Sequence, residues 1–94
     1  MALTTARAKF AAHVHRTLKV GLSKAGIPAQ TIHVVPVKGT RLNRIRIVSR
    51  KFRDLGPSER QDIVWRILRQ NLRPDEELRI SMVLTLTPQD LQRK

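Results

Sequence analysis

Arg44-Ile45-Arg46-Ile47-Val48-Ser49 is the stretch on which the fold turns. Ile45 and Ile47 point one way and Arg44 and Arg46 the other, the period of two that marks a half-buried strand with an arginine-bearing outer face. Upstream, Lys38–Asn43 (K-G-T-R-L-N) reads as a turn, with Gly39 and Asn43 supplying permissive backbone. The run before it, Ile32–Val37, is β-branched and apolar, so the turn joins two strands. Pro36 lacks an N–H and places that first strand at a sheet edge or ends it early. Its poor alternation leaves open which face His33 takes. Downstream, Arg50–Pro57 is a charged connector closing on Gly56-Pro57.

Further out the periodicity becomes helical. Residues 4–25 repeat Leu3, Phe10, Val14, Leu18, Leu22 and Ala25 on one face, with Thr4 or Thr5 as cap and Gly26 as terminator. Arg7 falls near the apolar side, where its stem can lie along the core edge. A second helix starts at Ser58, with Gln61 three residues on in a capping-box pattern and Ile63, Val64, Ile67, Leu68 and Leu72 as its stripe. Trp65 lies about 200° from Ile63 and is predicted to face away. After an acidic turn, Arg73–Glu77, residues 78–86 alternate as a strand. Leu78, Ile80, Met82, Leu84 and Leu86 take one face; Arg79, Ser81, Val83 and Thr85 take the other. Thr87 and Pro88 then open a short last helix. The order is α-β-β-α-β-α, and residues 1–94 read as a single domain. A three-stranded sheet with one apolar face needs its helices on that face, which predicts a two-layer α+β sandwich. The other sheet face is left open, and alternation assigns Arg44, Arg46, Arg79 and Ser81 to it.

Composition narrows the function. With no cysteine among 94 residues, disulfides, thiolate zinc sites and a cysteine nucleophile are excluded. No apolar run approaches the ~18–20 residues of a membrane span, and a soluble, cytoplasmic protein without membrane association is the expectation. The net charge is +12, unevenly placed. All seven acids follow position 53, whereas residues 1–53 hold twelve Lys/Arg and no Asp or Glu. Such a concentration makes a positive field that attracts polyanions, nucleic acid first among them.

The candidate nucleic-acid surface is the turn (Lys38, Arg41, Arg44), the outer sheet face (Arg46, Arg79) and the connector (Arg50, Lys51, Arg53). Flexible cations on a loop, backed by arginines on a rigid sheet, suit phosphate contact. Trp65 is the one platform for a base or a partner side chain, or else it is partly buried under the acidic turn. Phe10 and Phe52 read as core, so binding is expected to be phosphate-dominated and weakly specific. His13 and His15 diverge by about 200° on a helix and cannot chelate together. No metal site, cofactor site, catalytic triad, phosphate-binding glycine loop or carboxylate pair is recognisable, and no enzymatic activity is predicted.

Ile45-Arg46-Ile47-Val48-Ser49, Phe52, Arg60 eight residues later and Thr87-Pro88-Gln89-Asp90 together resemble the BolA-like proteins, whose fold is related to the class II KH domain. The resemblance covers about half the chain, and the element order agrees over nearly all of it. It implies a regulatory or stress role, through nucleic acid or as a protein adaptor. The adaptor alternative has a monothiol glutaredoxin-like or other acidic partner, in iron–sulfur or stress response. BolA-like proteins usually carry His where this chain has Gln61, many carry His where it has Arg79, and those that share an iron–sulfur cluster with a monothiol glutaredoxin also use a Cys or His from the loop that is Lys38–Asn43 here. A guanidinium or ammonium has no lone pair to give iron. The reading preferred is a small basic protein binding nucleic acid through its Lys/Arg-rich turn and sheet face, in transcription regulation or as a ribonucleoprotein component.

Overall fold

The computed structural model describes residues 6–92. Helix α1 (Ala6–Lys24) leads into β1 (Thr31–Pro36) and β2 (Asn43–Val48), followed by a short 3₁₀ turn at Arg50–Asp54. Then come α2 (Pro57–Asn71), the single-turn α3 (Pro74–Glu77), β3 (Ile80–Leu86) and α4 (Pro88–Gln92). The sheet order is β1-β2-β3, with β1 and β2 antiparallel and β2 and β3 parallel. This is the α+β sandwich with α-β-β-α-β-α order that the patterning predicts, with α3 formed inside the acidic turn.

Apolar spacing selects the core. Phe10, Val14, Leu18 and Leu22 bring one stripe of α1 onto the sheet, where Ile45, Ile47, Ile80 and Val83 meet it. Val64, Ile67, Leu68 and Leu72 of α2 and its C-cap close the layer. Burying a side chain of this size stabilises by about 1.5–3 kcal/mol, so these few residues carry most of the fold. Ala25, placed in the α1 stripe by spacing, is exposed because the helix has already ended at Lys24. Gly26 adopts φ 79°, the left-handed backbone of a helix terminator. Leu3, Thr4 and Thr5 lie outside the described residues.

Three expectations fail, each for a local reason. First, α2 starts one residue earlier than Ser58. Pro57 occupies its first turn with φ already set for a helix, Gly56 becomes the cap, and Gly56 N–H donates to Glu59 Oε1 at 3.0 Å. Ser58 is exposed, and Gln61 is thereby free to reach elsewhere. Second, Asn43 uses no left-handed backbone; of the described residues only Gly26 and Gly39 have positive φ. Asn43 begins β2 instead and is buried. Third, β3 does not keep one phase. Asn43 pairs with Ile80 and Arg44 with Met82, so Ser81 is an extra residue in a bulge and every later side chain changes face. Val83 is therefore buried, whereas Met82 and Leu84 stand on the open face at 45% and 43% exposure.

Candidate nucleic-acid interface

The turn between β1 and β2 is held by its own backbone and by one arginine of α1. Val37 N–H donates to Leu42 O at 2.9 Å and Thr40 N–H to Val37 O at 3.1 Å, while Gly39 takes φ 78°. From α1, Arg7 donates to the carbonyls of Thr40 and Leu42, both at 2.8 Å, and of Val37 at 3.4 Å. One guanidinium thus ties the turn to the helix layer. Lys38 and Arg41 remain exposed at its tip.

From that turn β2 carries Arg44 and Arg46 out onto the open face. Cross-strand pairing makes two rows there: Val35–Arg44–Met82 and His33–Arg46–Leu84. The first strand's phase is now settled, with His33 on this face and its Nδ1 accepting from Arg46 Nη2 at 3.0 Å. The face is therefore a row of arginines with aliphatic neighbours, Val35 being 44% exposed. Arg50, Lys51 and Arg53 lie exposed on the 3₁₀ turn at the far end of β2. A six-residue strand spans about 20 Å, so the turn and connector cations stand at opposite ends of a stripe that Arg44 and Arg46 bridge.

Two residues expected on the open sheet face lie elsewhere. Arg79 precedes β3 and is not on the open face; its guanidinium sits 5.4 Å from the Phe10 ring centroid, against α1. Ser81 is in the bulge, donating to Asn43 O at 3.3 Å. Trp65 is half-buried and packed against the core, with Nε1 donating to Gln61 Oε1 at 3.2 Å and the Arg69 guanidinium 6.0 Å from its ring. Arg69 in turn reaches Glu77 of the acidic segment at 3.6 Å. Trp65 is thus engaged by its own neighbours.

The electrostatics follow the sequence asymmetry. The ion pairs among the described residues join Arg60 to Asp90, Arg69 to Glu77, and Arg73 to Asp75 and Glu76, all in the second half. None of Lys38, Arg41, Arg44, Arg46, Arg50, Lys51, Arg53 or Arg79 is paired with a carboxylate among the described residues.

Periodicity missed the aliphatic flank of this face, because a bulge leaves no mark in an alternating pattern. It also missed the part Asn43 plays. Asn43 Nδ2 donates to Arg79 O at 3.3 Å and more weakly towards Arg41 O at 3.5 Å. Its Oδ1 is buried without a partner. Arg7 was partly legible, since its place near the apolar side of α1 already aims it inward.

The chain resembles the crystal structure of a bol-like protein from Babesia bovis, with a TM-score of 0.55 and 23% identity over 87% of this chain and 88% of that one. No family model and no curated protein matches the sequence. The fold is that of a BolA-like protein.

The iron–sulfur chemistry implied by the sequence resemblance is not matched by the donor set. Gln61 spends its amide on Val83 O (2.7 Å) and Trp65, Arg79 lies over Phe10, and the 38–43 turn offers lysine, arginine, threonine and asparagine. None of these is a ligand for a cluster iron at neutral pH.

Proposed function

We propose that this protein is a non-enzymatic, BolA-like binder of nucleic acid that holds phosphates along the β2 stripe, in a regulatory or ribonucleoprotein role. One observation carries the reading: exposed turn, sheet and connector cations lack carboxylate partners among the described residues, although the chain has seven acids. A guanidinium's planar fork loses less freedom per hydrogen bond formed than an ammonium does, and each phosphate contact releases condensed counterions. The aliphatic neighbours Met82 and Leu84 offer contact to a sugar or base face without stacking, which favours weak sequence preference.

Retention on heparin, and on RNA and DNA at stepped salt, tests it. Log K falls linearly with log salt, and changing Lys38, Arg41 and Arg44 together to Gln flattens the slope by up to about three phosphate contacts. Salt-insensitive binding, or none at low salt, rejects the reading. In that event the exposed Val35, Met82 and Leu84 support a protein adaptor for an acidic partner, the second reading.

A further inference from the structure

At the meeting of α1, the β1–β2 turn and the start of β3 there is a pocket of about 210 Å³ lined by Ala6, Arg7, Phe10, Arg41, Asn43 and Arg79. Three arginines line one small concavity with no acidic residue among its walls. None of the three is ion-paired with a carboxylate among the described residues. Arg7 donates three hydrogen bonds to the turn carbonyls, which fixes its guanidinium and leaves two of its five donors unused. The Arg79 guanidinium lies 5.4 Å from the Phe10 ring centroid. Arg7 is therefore in place before a ligand arrives, which lowers the ordering cost of an anion site, and Arg41 stands exposed at its rim.

Asn43 supplies a second, independent sign. It is 1% exposed and lines the same pocket, and its Oδ1 has no hydrogen-bond partner. Rotating the amide does not cure this. Oδ1 would then face the carbonyls of Arg41 and Arg79, two acceptors that Nδ2 now serves. The pocket thus offers guanidinium donors to an anion, beside a wall residue whose buried amide oxygen is unpaired. At about 210 Å³ the space is below the ~300–1,000 Å³ of sites that enclose drug-sized ligands, so it takes a head group and its immediate attachment.

The geometry points to a site for the phosphomonoester of a nucleotide, with the phosphate against Arg7, Arg41 and Arg79 and Asn43 in the adjoining wall. A monoester carries about −1.5 to −2 charges at neutral pH, against −1 for a phosphodiester within a chain, and matches clustered arginines better. The choice of a nucleotide rests on the nucleic-acid reading above. It refines that reading: the stripe holds the chain and the pocket holds its phosphorylated end.

The test uses the full chain and two fluorescent single-stranded 12-mers identical except for a 5′-phosphate or a 5′-hydroxyl. The phosphorylated strand binds about tenfold more tightly. Arg41→Gln, an exposed change that leaves the fold alone, brings the two strands together. A nucleoside 5′-monophosphate moves the backbone amide resonances of Asn43 and Arg79, while inorganic phosphate at the same concentration moves them far less. A mononucleotide that binds as tightly as the phosphorylated 12-mer keeps the site and makes the free nucleotide its ligand. Equal affinity for both strands, with Asn43 and Arg79 resonances unmoved by the monophosphate, overturns the pocket and leaves stripe binding intact. Failure of both strands to bind, while the monophosphate still shifts those resonances, overturns stripe binding and leaves the pocket.

Discussion

Gly21 sits where α1 meets α2, and a Cβ built there would lie 2.5 Å from Ile67 Cγ2. Ile67 is buried and cannot simply swing away. Overpacking of this kind costs about 1–3 kcal/mol. A branched side chain recovers little of that through helix propensity. Gly21→Val is therefore expected to destabilise the protein by about 2 kcal/mol, read as a lower urea midpoint with an unchanged slope. Ser49 serves a different purpose at the same scale. It is fully buried, its hydroxyl donates to Pro28 O at 2.8 Å, and it accepts from Lys51 N–H at 3.3 Å. Ser49→Ala strands the Pro28 carbonyl and uncaps the 3₁₀ turn, at a cost of about 1–2 kcal/mol in the same measurement.

Strand β3 shows how far elements were legible. Its existence and approximate limits were plain from residues 78–86, and so were the α1 and α2 stripes, because helix and strand periods are strong signals over ten or more residues. Its phase was not plain. Leu78, Ile80, Met82, Leu84 and Leu86 form an unbroken alternation, but the parallel ladder with β2 slips at Ser81, and only Ile80 of that set is deeply buried. The slip depends on where Asn43 and Arg44 stand, which lies far away in sequence. For the site, the same holds: the turn and β2 cations could be placed from local pattern, whereas Arg79 could not, since its neighbour Phe10 lies in another element. Deleting Ser81 provides a check. Removing the extra residue makes Asn43–Ile80 and Arg44–Met82 consecutive pairs, so Ile80 keeps the core face and Met82 the open one. The expected loss is that of the Ser81 hydroxyl's bond to Asn43 O, about 0.5–1.5 kcal/mol by urea denaturation.

At the scale of the whole molecule, twelve cations confined to the first 53 residues repel one another in the folded state. Salt screens that repulsion, with a Debye length near 10 Å at 0.1 M. The melting temperature is expected to rise between about 10 and 200 mM sodium chloride while affinity for a polyanion falls, and a flat or falling melting curve would show that the charges are too dispersed to interact. The helix layer also reaches the outer margin of the sheet. Leu86 O accepts from Ser49 N–H on the β2 side, so alternation turns the carbonyls of Val83 and Thr85 the other way. There they accept from Gln61 Nε2 at 2.7 Å and Arg60 Nη1 at 3.3 Å. Ser81–Leu86 has neither charge nor proline, the composition from which fibrils are seeded when a strand margin is bare. Two side chains of α2 thus act as a plug against runaway polymerisation, and a chain lacking both the Arg60 and the Gln61 donor at that margin would be the one to turn thioflavin-positive on standing.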